Sequence, residues 1–146
     1  MIVSRYYIIQ LLLIIPVFSF CQTNSSCSGV TISSATTNGN YNVSSYIESD
    51  GIRDGDDYDG STIYYPQNTA GLLPSTLIIP GFANPQLSIQ AWGSFLASHG
   101  IVCMTIGTNS IWDEVIDRKI ALKDALISLK DENNRTNSPL FNNLDT

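Results

Sequence analysis

Two short apolar runs flank one amphipathic stretch near the middle of the chain. Leu77–Ile79 and Ile101–Ile106 show no polar alternation beyond Thr105, the pattern of strands buried on both faces. Between them, Ser88 to His99 places Ile89, Trp92 and Leu96 at helical spacing with Phe95 beside them, and Gly100 stands where a glycine ends a helix. The pattern predicts strand, crossover helix, parallel strand, with Trp92 in the core. Upstream, Tyr41 to Ile47 alternates, with Tyr41, Val43, Ser45 and Ile47 on one side and Tyr46 on the other. Thr62 to Tyr65 reads as the returning strand, stopped by Pro66. Together they predict an antiparallel hairpin on the sheet edge, joined by Asp50–Gly60, whose Asp and Gly content reads as a solvated turn. A calcium loop is excluded there, because no register puts acids at the first, third and fifth positions and Glu at the twelfth. Downstream, Asp113 is set to cap a helix running to about Asn133. Its predicted apolar stripe is Ile116, Ile120, Leu122, Ala125, Leu126 and Leu129, with Lys119, Lys123 and Lys130 on the wet side. The fold class is α/β, an edge hairpin followed by βαβα. Such a sheet leaves an open edge, so the chain reads as the front part of a larger α/β domain.

The ends of the chain divide it further. Residues 1–21 have the form of a secretory signal: Arg5 as the positive start, an apolar run from Ile8 to Phe20, and small residues at Ser19 and Cys21 before Gln22. Residues 22–40, rich in Ser, Thr and Asn, read as a flexible lead-in, and 41–146 as the folded part. An exported protein is expected, extracellular or periplasmic, with no stable membrane insertion once the signal is removed. The formal net charge of -6 disfavours nucleic acid as a partner, since phosphate binding needs a basic face. Of the three cysteines, Cys21 leaves with the signal and Cys103 lies in a predicted buried strand as a small hydrophobe. Cys27 is left with either Cys103 or an external thiol as its partner. Asn24, Asn42 and Asn134 head glycosylation sequons, a short motif in a chain rich in Asn.

Candidate chemistry collects where an open parallel sheet places its ligands, beyond the carboxyl ends of the strands. Those ends are Gly81-Phe82-Ala83-Asn84 and Gly107-Thr108-Asn109. Pro80 lacks an N–H and closes the strand, and Gly81 permits a sharp turn. The Phe82 N–H is then left without a ladder partner and can face a bound oxyanion, with its ring lining the same cleft. Trp112 lies in the second ligand-side loop and is a candidate aromatic surface. His99, the only histidine, falls in the last turn of a helix and reads as a helix-end residue. Asp113, Asp117 and Arg118 read as helix capping and a surface ion pair. No cluster has metal-ligand spacing, and no cofactor motif occurs.

Three local patterns carry a family resemblance: Ser61-Thr62-Ile63-Tyr64-Tyr65-Pro66, Ile79-Pro80-Gly81-Phe82 and Trp92-Gly93-Ser94-Phe95-Leu96-Ala97-Ser98-His99-Gly100, followed by Gly107-Thr108-Asn109-Ser110 and Leu144-Asp145-Thr146. Over residues 41–146 the chain resembles the N-terminal half of bacterial polyester hydrolases of the cutinase type, a group that includes enzymes acting on polyethylene terephthalate. The resemblance implies an α/β-hydrolase fold and a Ser-His-Asp ester hydrolase. It also implies that the serine sits in a Gly-x-Ser-x-Gly turn. No such turn occurs in this sequence, so the triad is expected beyond Thr146, none of its residues is assignable, and the chain alone is expected to be inactive. Phe82 matches the position whose backbone N–H serves the oxyanion hole and whose ring helps hold the substrate. Members known for polyester cleavage often carry Tyr there; Phe keeps the ring and the amide. Ala83, Asn84 and Gln86 would line the cleft by position. The implied partner is an ester or polyester, with no cofactor. The alternatives are a lipase, a dienelactone-type hydrolase or an acetylesterase, or a non-catalytic exported binding module.

Overall fold

A computed structural model of the chain describes residues 36–145. The expected signal, the Asn24 sequon, Cys27 and the first part of the lead-in fall outside the described residues. At the end of that lead-in, the Gly39 N–H donates to Ser98 Oγ at 2.8 Å and the Tyr41 N–H to the Ser98 carbonyl at 3.1 Å.

The elements run β1 (Val43–Ile47), β2 (Ser61–Pro66), β3 (Ser75–Ile78), α1 (Gln90–Ser98), β4 (Val102–Ile106) and α2 (Val115–Glu132). The four strands form one mixed sheet in the order β1-β2-β4-β3. β1 and β2 are antiparallel, with Tyr46 opposite Ile63, and β2 pairs antiparallel with β4, with Ile63 opposite Met104. β3 pairs parallel with β4, Leu77 opposite Met104, so the chain from β3 through α1 to β4 is the βαβ unit that the two apolar runs predict. β4 is central and buried along its whole length, including a free Cys103. The last residues return to the approach to β3, where Leu144 forms a parallel bridge with Leu73.

Strand alternation assigns the two faces of the sheet to the two helices. Tyr46, Ile63, Val102, Met104 and Ile106 build one core with Ala121, Ala125 and Leu129 of α2. α1 packs on β2 and β4. It ends in two bonds, Gly100 N–H to the Ala97 carbonyl at 3.0 Å and Ile101 N–H to the Leu96 carbonyl at 3.1 Å, with Gly100 at φ +91°. That is the left-handed helix end predicted for Gly100. His99 sits at the same end, its Nδ1 3.1 Å from the Phe95 carbonyl.

Three expectations from the pattern are corrected. Trp92 is not in the core: it is 58% exposed, and the residues of α1 turned inward are Gly93, Ala97 and Ser98. The reason is Tyr64 on β2. A Cβ at position 93 would lie 2.3 Å from the Tyr64 ring, so only a glycine lets the helix cross there.

The second correction concerns α2, whose buried face is Ala121, Asp124, Ala125, Ser128, Leu129 and Glu132, while Ile116, Ile120 and Leu126 are exposed. Small residues allow close packing, and both buried carboxylates are bonded. The cap of α2 also shifts by one residue, to Glu114, whose N–H donates to Asp117 at 3.2 Å. Asp113 instead accepts the Ser110 N–H at 3.1 Å in the loop before the helix.

In β1 the alternation leaves Tyr46 buried and Tyr41 and Ile47 exposed, because this edge strand has one covered face. Third, the segment between β1 and β2 is not a solvated turn. Ile52 and Tyr58 are buried, Arg53 pairs with Asp124 at 2.7 Å, and the Asp57 N–H donates to Asp124 at 3.1 Å. Its acids stay wet while two apolar residues and one arginine fasten it to α2.

Glu132 is the other buried acid. Its carboxylate accepts from Tyr46 at 2.8 Å, from Ser138 at 2.6 Å and from Arg135 through Nε at 2.8 Å and Nη2 at 2.6 Å. This joins β1, the end of α2 and the loop after it. Burial favours the neutral acid, but these donors outweigh it and hold the Glu132 carboxyl below the usual range. Burial pushes the Tyr46 phenol up.

Candidate active site

β3 ends at Ile78, and the chain passes through a buried Pro80 into the turn Gly81–Asn84. The Asn84 N–H donates to the Gly81 carbonyl at 3.1 Å and closes the turn. The left-handed residue is Ala83, at φ +59°, rather than Gly81, where a Cβ would meet nothing nearer than 3.9 Å. A positive φ at the third residue has the form of a type II turn, and an alanine there is strained. What holds it is the Ala83 N–H, which donates to the Ile111 carbonyl at 2.8 Å. The Asn84 side-chain amide donates to the Phe82 carbonyl at 2.9 Å. The Phe82 N–H has no hydrogen-bond partner among the described residues.

The second loop leaves β4 at Gly107 and is closed by its own polar groups. Thr108 Oγ1 donates to the Ser110 carbonyl at 2.8 Å, and the Asp113 N–H donates to the same carbonyl at 3.0 Å. This brings Trp112 against the first turn: its ring packs edge-on to Phe82 with centroids 5.7 Å apart. Phe82 and Trp112 are 60% and 62% exposed, so the pair is a surface rather than a core contact. A groove of about 750 Å³ lies beside it, lined by Gly81, Phe82, Asp113, Val115, Ile116 and Arg118 among others.

Of the residues expected at the site, Phe82 and Trp112 are brought together. Ala83 presents only its methyl, because its N–H is bonded. Asn84 folds back onto the turn. Gln86 points inward: its Nε2 donates to the Thr105 carbonyl at 2.8 Å, fastening the segment after the turn to β4. Among the described residues no group of three or more His, Cys, Asp or Glu side chains is arranged to hold a metal ion.

The family model for PETase, PET hydrolase-like, matches residues 24–146. The chain belongs to the PET hydrolase-like family. The order β1-β2-β4-β3 is the N-terminal part of that family's α/β-hydrolase sheet. Curated relatives agree. The chain is 36% identical over 110 residues to Lipase 1 of Moraxella sp. (strain TA144), covering 74% of this chain and 34% of that protein. It is 41% identical over 73 residues to Cutinase 2 of Thermobifida cellulosilytica, covering 49% and 27%. It is 43% identical over 70 residues to the bis(hydroxyethyl) terephthalate hydrolase of Streptomyces coelicolor, covering 47% and 23%. The chain therefore spans about a quarter to a third of the length of these relatives.

One residue lining the groove escapes a reading of side-chain patterns and, against the expectation of a surface ion pair, is in neither ion pair among the described residues. Arg118, in the first turn of α2, reaches back to the Pro80 carbonyl. The signal that could have marked it is electrostatic. A cation in the first turn opposes the helix dipole, so something other than the helix must hold it there.

Proposed function

We propose that the protein carrying this chain is an exported serine ester hydrolase that cleaves polyester or cutin-like carboxylic esters through an acyl-enzyme. The observation that carries the reading is the Phe82 amide, an unpartnered N–H at the carboxyl end of a parallel strand, beside two exposed rings, in a chain of this family. In this mechanism a serine attacks the ester carbonyl, and the negative charge on oxygen falls on the Phe82 N–H and on the amide after the serine. The intermediate collapses with loss of the alcohol to leave the acyl-enzyme, and water then releases the acid and restores the serine. The Phe82 and Trp112 rings hold the acyl part, Ala83 and Asn84 form the wall beside them, and Gln86 fixes the base of that wall. No Gly-x-Ser-x-Gly segment occurs in the 146 residues, so the serine, histidine and aspartate are proposed to follow Thr146, and these residues alone to be inactive. The names of the cutinase and terephthalate-ester relatives support the substrate class. The longer match to a lipase supports a second reading, in which the acyl part is a fatty chain.

The test is an assay of the gene product read through the frame beyond Thr146. It should hydrolyse bis(hydroxyethyl) terephthalate and a p-nitrophenyl ester, and lose both activities to a covalent serine inhibitor. The 146-residue chain should turn over neither above buffer. No ester turnover by the longer product, or clear turnover by the short one, overturns the reading. Preference for long-chain triglycerides over terephthalate esters selects the lipase form.

A further inference from the structure

The Phe82 amide belongs to one of three consecutive peptide units, and each of the three is held by a different group. In the middle unit the Gly81 carbonyl accepts the Asn84 N–H, at 3.1 Å. In the following unit the Phe82 carbonyl accepts from the Asn84 side chain at 2.9 Å, and the Ala83 N–H donates to Ile111 at 2.8 Å. In the preceding unit, Pro80–Gly81, the Pro80 carbonyl is bonded by Arg118 Nη1. Arg118 does more than this. Its Nε donates to the Asp113 carbonyl at 2.9 Å and its Nη2 to the Ile111 carbonyl at 3.1 Å, the same oxygen that accepts the Ala83 N–H. One guanidinium therefore ties the strand end, the Gly81–Asn84 turn and the loop carrying Trp112. All its hydrogen bonds go to main-chain carbonyls, and neither ion pair among the described residues involves it.

We infer that Arg118 is a positioning residue for the oxyanion amide: by holding the Pro80 and Ile111 carbonyls together it fixes the direction of the Phe82 N–H. Gly81 is why such a brace is needed. Its peptide bonds rotate with little steric hindrance, so a turn built on it keeps one orientation only if both neighbours are anchored. Arg118 anchors the near side, and the Ala83 bond to Ile111 anchors the far side. A planar guanidinium spreads five N–H donors over a rigid fork and so spans carbonyls set apart, where an ammonium carries three donors on one atom. Arg118 touches no reacting atom in this scheme and acts through the main chain. The catalytic part of the inference rests on the esterase reading above; the structural part does not.

The test uses the gene product read beyond Thr146, with Arg118→Met, Arg118→Lys and, as a neighbouring exposed cation, Lys119→Met. Hydrolysis of p-nitrophenyl butyrate is followed together with amide hydrogen exchange at Ala83. Misplacement of a reacting group costs up to about a hundredfold. Arg118→Met should therefore lower kcat by about 10- to 100-fold, with KM within about threefold of the parent. Arg118→Lys should recover part of the loss, and Lys119→Met should match the parent. In Arg118→Met the Ala83 amide should exchange faster, while amides of β4 keep their parent rates. An Ala83 amide that exchanges at the parent rate overturns the inference. So does a parent-like kcat with a loosened turn, and so does faster exchange spread through β4, which would make Arg118 a general stability residue. If the parent hydrolyses no ester, the esterase reading fails, and the exchange comparison still decides whether Arg118 holds the turn.

Discussion

Replacing Phe82 by proline removes one hydrogen-bond donor and one exposed ring, and leaves the bonds of the turn in place. The Phe82 N–H has no partner among the described residues, so the fold loses no bond. Phe82 is the second residue of a turn whose third residue, Ala83, has φ +59°, and proline is favoured at the second position of such turns. The side chain is 60% exposed, so the loss of buried area is small. The remaining structural loss is the edge-on contact with Trp112 at 5.7 Å, worth about 0.5–1.5 kcal/mol for such pairs. If the amide stabilises the oxyanion, Phe82→Pro should lower kcat by about 10²–10³, or about 2.7–4 kcal/mol of transition-state stabilisation. Phe82→Leu is the matched comparison: it keeps the amide and loses the ring, so it should raise KM and leave kcat within about threefold. Both variants are read in the product that extends beyond Thr146, by initial rates on a soluble terephthalate ester, with melting temperatures alongside. Equal kcat in the two variants, with both folded, would refute the assignment of the amide.

Further expectations concern the scaffold. Glu132→Ala leaves a buried Tyr46 hydroxyl and a half-screened Arg135 without their acceptor, and should destabilise by about 3–5 kcal/mol, nearer the lower figure because Arg135 keeps some contact with water, as read by urea unfolding. Glu132 and Asp124 are both held below the ordinary carboxylate range when folded: burial opposes this, but Arg135, Ser138 and Tyr46 outweigh it for Glu132, and the Asp57 amide and Arg53 for Asp124. Their contribution is therefore complete above the unfolded values of about 4 and is lost as pH falls through the lower folded ones; acid titration of the melting temperature should show it, and Glu132→Ala should flatten it. Gly93→Ala should destabilise by about 1–2 kcal/mol despite the better helix propensity of alanine, because the new Cβ would sit 2.3 Å from the Tyr64 ring; a raised melting temperature would contradict this. Burial pushes the Cys103 thiol up to about 12, so its peptide should stay unalkylated by iodoacetamide at pH 8 until denaturant is added, as seen by mass spectrometry.

The parts of the fold that could be read from sequence are those where burial is two-sided. β4 is apolar throughout because both its faces are covered, and its partner β3 follows by the same signal. Faces of helices were harder to read. α1 and α2 turn their small residues inward, so a search for large apolar residues selects Trp92, Ile116, Ile120 and Leu126, which are exposed. On α2 the inward face also carries Asp124 and Glu132, which composition alone assigns to water and which only distant partners, Arg53 and Tyr46, make tolerable. The segment between β1 and β2 misleads for the same reason: five aspartates mask the two anchors, Ile52 and Tyr58. At the site, Phe82 and Trp112 were legible as residues at strand ends, but their contact was not, since it depends on how two loops close. Arg118 reads from the sequence as half of a surface ion pair, because its actual partners are main-chain oxygens that any sequence supplies.

The arrangement separates two tasks that meet at one residue. The amide of position 82 belongs to the main chain, and its direction is set by Arg118, Ala83, Asn84 and Ile111, none of which needs the Phe82 ring to do so. The ring faces outward against Trp112 and has no part in those bonds. Substitutions of the two rings should therefore move substrate preference with little effect on the chemical step, while changes at Arg118 or in the peptide units beside it should do the reverse. A Trp112→Ala variant gives the comparison its sharpest form. It removes an exposed ring that bonds to nothing in the brace except through its own backbone, so KM for an aromatic ester should rise while kcat for an aliphatic ester stays close to the parent. A fall in kcat on both esters would mean that the rings, and not the guanidinium, keep the amide in place.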